Sequence, residues 1–115
     1  MITVRNKNPE MIANNLTSFY KTHPGEILKD EVEYRGISQK ILASSIGMSY
    51  KALNEILNER RPVTCETAML FEAALGIPAQ TLLALQSEYN ISEMKKNTIF
   101  QNRLSSIRKI ASVLL

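Results

Sequence analysis

One cysteine, Cys65, and one histidine, His23, are all that this chain of 115 residues offers toward disulfide, thiol or histidine-based metal chemistry. A single cysteine excludes an internal disulfide framework and a cysteine-based zinc site, and it points to a reducing cytosol. With one of each, nothing in the sequence brings a Ser-His-Asp or Cys-His set together. There is no run of about 20 apolar residues, so no membrane-spanning helix is expected. The start, Met1-Ile2-Thr3-Val4-Arg5-Asn6, lacks the basic-then-apolar layout of a secretory signal. No glycine-rich phosphate loop is present. Glu26 with Asp30, and Glu31 with Glu33, read as carboxylates on a solvated helix face. The sequence therefore shows no catalytic set, and it implies no cofactor and no metal.

Apolar residues make up 44% of the chain, enough for a compact core, and the length fits one ordinary domain. The net charge is +3, which permits a nucleic-acid partner without requiring one. Its distribution is uneven. Residues 25–35 hold four acids, Glu26, Asp30, Glu31 and Glu33, against Lys29 and Arg35. From Lys95 to the end there are five bases, Lys95, Lys96, Arg103, Arg108 and Lys109, and no acid.

The four glycines and four prolines act as punctuation. Pro24 suits the first turn of a helix that Gly36 ends. Ser38 can cap a second helix stopped by Gly47, and Ser49 a third. Pro62 lies in the break that follows. Thr64 can cap a fourth that runs to Gly76, and Pro78 opens a fifth. Apolar spacing agrees, with Leu28 and Val32, then Ile41, Leu42 and Ile46, then Leu53, Ile56 and Leu57. Ala68, Phe71, Ala74 and Leu75 follow, then Leu82, Leu85 and Tyr89. All of these have the helical period, and only 2–4 hints at alternation. A short helix over 9–16, capped by Asn8 with Pro9 at its first position, is expected before them, and a tail helix around 99–114 after them.

The stretch 39–58 carries the most information. Two short helices separated by a tight turn need a small residue where they touch and a residue tolerant of positive φ in the turn. Ala43 and Gly47 supply these. Leu42, Ile46, Met48, Leu53 and Ile56 then fall inside the corner, while Tyr50, Lys51, Asn54 and Glu55 fall outside. This pattern resembles the DNA-binding helix-turn-helix of the lambda-repressor/Cro-like (Xre) family.

The resemblance narrows with His23-Pro24-Gly25-Glu26-Ile27-Leu28, Gly36-Ile37-Ser38-Gln39, Asn54-Glu55-Ile56-Leu57-Asn58, Arg60-Arg61-Pro62-Val63-Thr64 and Thr67-Ala68. These are similar to the HigA-type antitoxins of bacterial toxin–antitoxin operons, over about 22–89. The resemblance implies an all-α fold. Its parts are a lambda-repressor-like five-helix DNA-binding domain at 22–90, an N-terminal extension with a short helix at 1–21, and a basic amphipathic C-terminal helix at 91–115. It also implies a cytoplasmic homodimer that binds double-stranded operator DNA, represses its own operon and neutralises a small mRNA-endonuclease toxin of the RelE/HigB type. Glu59 departs from the family, which usually has Gly in an Asn-Gly-Lys/Arg turn, and Leu82 stands where a Trp is common.

In such a motif, the N-terminal part of the helix over 49–58 enters the major groove. Lys51 can donate to guanine O6 and N7, and Asn54 can pair with adenine. Glu55 can accept from cytosine N4 or pair instead with Arg60. Tyr50 can pack on a thymine methyl or bond a phosphate. Ser49 caps this helix and belongs to the same surface. Gln39, at the start of the preceding helix, sits where free amides attract phosphate. Asn58, Arg60 and Arg61 can clamp the backbone. The tail residues Phe100, Leu104, Ile107, Ala111 and Leu114 form a stripe that can pack on the body or on a second subunit. By elimination the toxin surface falls on the N-terminal segment 2–21, with Met11, Ile12, Leu16, Phe19 and Tyr20 as exposed candidates; the alternative is that these residues simply cover the helix bundle. The alternatives are a stand-alone or phage-type repressor without a toxin, and an interaction module that kept the corner but lost DNA binding.

Overall fold

Residues 22–115 are described by the structure, a computed structural model. The helix expected at 9–16, the segment at 2–4 and the apolar set Met11, Ile12, Leu16, Phe19 and Tyr20 lie outside them. The described residues form six helices and no strand: α1 (Pro24–Tyr34), α2 (Gln39–Ile46), α3 (Tyr50–Leu57), α4 (Cys65–Leu75), α5 (Ala79–Lys95) and α6 (Thr98–Leu114).

The helix boundaries are set by local chemistry. The hydroxyls of Ser38, Ser49 and Thr64 accept hydrogen bonds from the amides of Ile41, Ala52 and Thr67, satisfying donors that the first turn leaves free. Thr67 returns the bond to the Thr64 amide and completes a capping box. Asn97 caps α6 in the same way, through the Phe100 amide. The cap of α1 is the imidazole of His23, whose Nδ1 accepts from the Gly25 amide at 2.8 Å.

α1 packs on α3 and α5, α2 on α3 and α4, and α4 on α5. Leu28, Val32, Leu42, Ala43, Leu53, Ile56, Leu57, Val63, Ala68, Phe71, Leu75 and Leu82 form the core between them. Of the residues placed on helical stripes by spacing, Ile46, Leu85 and Tyr89 are half-buried and two are exposed. Ile41 is 66% exposed, because α2 is two turns long and its neighbours cover only the Leu42–Ala43–Ile46 side. Ala74 is exposed and lines a shallow groove between α2 and α4 with Leu42, Ser45, Ile46, Leu70 and Ala73.

α5 continues to Lys95, past the 90/91 boundary drawn from sequence, because no glycine or proline interrupts 79–95. α6 follows the Asn97 cap and contacts α5. It buries no residue completely. Phe100, Leu104 and Ala111 are half-buried, while Ile107 and Leu114 are exposed, so the expected stripe is only partly covered.

Candidate nucleic-acid interface

The α2–α3 corner closes as its residue types require. Gly47 has φ 75°, a conformation that a side chain disfavours, and the Met48 amide reaches the Ala43 carbonyl at 2.9 Å. Ala43 is buried where the helices meet. Leu53, Ile56 and Leu57 then anchor α3 from beneath.

The other side of α3 is the candidate interface. Tyr50 and Lys51 are exposed on its first turn, and Asn54, Glu55 and Asn58 are half-buried along it. Ser49 holds its acceptor to the Ala52 amide at 3.0 Å, which leaves its hydroxyl proton available to a phosphate. Gln39 and Asn54 meet: Asn54 Nδ2 donates to Gln39 Oε1 at 3.1 Å, tying the start of α2 to the middle of α3. Asn58 folds back along the helix end, and its Nδ2 donates to the Asn54 carbonyl at 2.9 Å.

The loop after α3 decides the positions of the arginines. Glu59 has φ 64°, the positive value among the non-glycine residues described. Its amide bonds the Ile56 carbonyl at 3.0 Å, and the Arg60 amide bonds the Glu55 carbonyl at 2.8 Å. This is the helix-ending pattern normally made with glycine at the left-handed position. The chain thus keeps the glycine-type turn without the glycine. On leaving it, Arg61 folds back onto α3. Its Nε and Nη2 donate to Glu55 Oε1 at 3.0 and 2.7 Å. The pairing of Glu55 with Arg60 considered from sequence is therefore corrected to Arg61, because the turn aims the second arginine at the helix. The Arg60 side chain stays exposed. The Arg61 hydrogen bond holds the Glu55 carboxyl below the usual carboxylate range, and the charges of Lys51 and Arg60 act in the same direction.

Several contributors to this surface escaped the sequence reading. Lys40 is exposed on the first turn of α2, with Nζ 5.8 Å from the Tyr50 ring centroid, adding a cation beside α3. Its position next to Gln39 was the available signal. Gln86 is only 6% exposed; its Oε1 accepts from the Val63 amide at 2.8 Å and its Nε2 donates to Asn90 at 3.0 Å. It fastens the loop carrying Arg60 and Arg61 to α5. A polar residue four positions after the core residue Leu82 marks it in sequence. Gly25 lies so near the end of α3 that an added Cβ would sit 2.0 Å from the Ile56 carbonyl oxygen.

His23 completes this underside. It is 3% exposed, and its ring meets Tyr89 edge-on at 4.8 Å between centroids. Burial holds its pKa below 6.5, while the charge of Glu59 opposes that shift. Cys65 is exposed at the first position of α4.

No protein-family model matches the sequence. The chain is 36% identical over 80 residues to virulence-associated protein I of Dichelobacter nodosus, covering 67% of this chain and 74% of the relative. Among solved structures it is similar to the Pseudomonas aeruginosa antitoxin HigA with its higBA promoter. That match has a TM-score of 0.65 and 32% identity, over 70% of this chain and 89% of the other. A HigA-family addiction-module antidote protein from Coxiella burnetii matches with a TM-score of 0.64 and 29% identity, over the same shares of the two chains. With the capped corner, the polar face of α3 and these likenesses together, the chain belongs to the HigA-type antitoxin family of helix-turn-helix proteins.

Proposed function

We propose that this protein is a dimeric antitoxin that binds operator DNA, represses its own operon and neutralises a partner toxin of the RelE/HigB type. The observation that carries the DNA-binding reading is the α2–α3 corner. It presents Tyr50, Lys51, Asn54 and Glu55 on one helix face, with Gln39 tied to Asn54 by a hydrogen bond. In this reading, residues 22–90 form the DNA-binding unit. α3 lies in the major groove, Lys51 and Tyr50 meet base edges or the thymine methyl, and Asn54 lies between them and Gln39. Gln39, Ser49, Asn58 and Arg60 face phosphates, with Lys40 beside them. The likeness to an antitoxin HigA solved with the higBA promoter supports this reading.

One such domain contacts too little DNA for a unique genomic site, and two copies reading half-sites about 34 Å apart are the usual solution. The dimer surface in this proposal is α6 with the end of α5. Ile91, Met94, Ile99, Ile110, Val113 and Leu114 are all exposed there. A standard interface takes about 800 Å² per partner. A 17-residue helix, about 25 Å long, offers a face of that order. No described helix is long and apolar enough to cross a membrane. The proposed place of action is the cytosol, where the operon and the toxin's mRNA substrate are found.

The test is growth. The small reading frame adjacent to this gene is expressed in a bacterial host with and without this protein. Arrest relieved by co-expression is the expected result. An innocuous neighbour, or toxicity that co-expression leaves untouched, would remove the antitoxin role and leave a stand-alone repressor.

A further inference from the structure

Two side chains that the sequence reading assigned separately, one to bases and one to phosphates, are joined in the structure. Glu55 lies on the outer face of α3, one turn after Tyr50 and Lys51, with its side chain 26% exposed. Both donors that Arg61 commits, Nε and Nη2, go to the same oxygen, Oε1. No hydrogen bond from the described residues reaches Oε2. Among the described residues, the pairing therefore fixes one carboxylate oxygen and leaves the other without a hydrogen bond.

An ionised carboxylate only accepts hydrogen bonds. In the major groove, guanine presents O6 and N7 and thymine presents O4, all acceptors that repel it. Adenine pairs its N6 donor with the N7 acceptor. Cytosine presents the N4 amine alone. A bare carboxylate near DNA phosphates is costly, so a glutamate can read a base only if its charge is offset and its geometry held. An arginine in the loop does both, and the left-handed turn at Glu59 is what brings it back to the helix.

We infer that Glu55 and Arg61 form a specificity pair in which Glu55 Oε2 accepts from cytosine N4 in each operator half-site. In this pair Arg61 acts as a positioning residue, not a phosphate clamp. The inference rests on the DNA-binding reading proposed above and adds to it the base that is read.

The experiment is selection of a randomised DNA duplex library by the full-length protein, followed by fluorescence-anisotropy titration of the selected duplex over a range of salt concentrations. Glu55→Gln, Arg61→Ala and Arg61→Lys are compared with the wild type, with matched thermal melts to establish that each variant is folded. The wild type is expected to select cytosine at one position per half-site. Replacing that C·G pair by G·C is expected to weaken binding about tenfold. Glu55→Gln, which can both donate and accept, is expected to shift the preference to adenine. Arg61→Ala is expected to relax discrimination at that one position while leaving the salt dependence unchanged, and Arg61→Lys to restore part of the discrimination. If Arg61→Ala instead weakens all sequences alike and lowers the salt slope by about one, Arg61 is a phosphate contact and the inference is wrong. An unchanged base profile in Glu55→Gln overturns it equally. If the wild type enriches no sequence at all, the DNA-binding reading itself fails, a result distinct from the other two.

Discussion

Glu59 holds a left-handed conformation, φ 64°, at the point where α3 ends and the loop bearing both arginines begins. For a residue with a Cβ, that conformation costs roughly 1–2 kcal/mol. Glycine would remove the cost. It would also gain conformational freedom in the unfolded chain, which offsets about 0.4–1 kcal/mol of the benefit. The balance predicts that Glu59→Gly stabilises the fold by about 0.5–1 kcal/mol, raising Tm by about 2–6 °C for a domain of this size. Charge must be separated from backbone. Glu59→Ala removes the carboxylate but keeps the Cβ, so it should leave Tm near the wild-type value. Glu59→Asn, whose side chain tolerates the left-handed region, should fall between alanine and glycine. Thermal melts followed by circular dichroism, with urea unfolding for the free energy, read the series directly. If alanine stabilises as much as glycine, the gain comes from removing a charge and the strain argument is refuted. If glycine gives no gain, the turn does not carry the strain assigned to it.

Gly25→Ala would drive a Cβ to 2.0 Å from the Ile56 carbonyl oxygen, backbone that cannot step aside, so a loss of about 1–3 kcal/mol is expected in urea unfolding. A stability equal to wild type would show that α1 and α3 can separate at that point. Because burial lowers the His23 pKa below 6.5, the unfolded state takes up the proton first as pH falls. The contribution of His23 to stability is thus complete above about pH 6.5 and declines as pH drops through the folded pKa. His23→Asn retains a capping oxygen and does not titrate, so its stability should be lower overall but flatter between pH 7 and pH 5; an unchanged slope would clear His23 as the cause. Lys51→Ala should cost about 1–3 kcal/mol on the selected operator and relax preference at one base pair, whereas Arg60→Ala should weaken all duplexes and lower the salt slope by about one. Titrations on the selected and scrambled duplexes separate those two behaviours.

Much of the candidate site could be read from sequence because its determinants are local. Ser38, Ser49 and Thr64 cap the amides three residues ahead of them, and Gly47 takes the positive φ that ends α2. Those contacts span three or four residues and depend on little else. The inward set at Leu42, Ile46, Met48, Leu53 and Ile56 follows from the helical period once the corner is placed. Together they determined the order of the helices, the place of α3 and its outward residues.

What the sequence left open depended on where distant elements came to rest. Ile41 and Leu42 are neighbours of similar hydrophobicity, and only the positions of α3 and α4 leave the first exposed and bury the second. Gln86 reads as one more polar helix residue until the loop at Val63 arrives with an amide to satisfy. Arg60 and Arg61 are adjacent and chemically identical; the backbone path through Glu59 sent one into solvent and the other to Glu55. Helix starts, stops and faces are fixed by short-range hydrogen bonding and periodicity. The partner that each face or charge finds is fixed by the three-dimensional course of the chain.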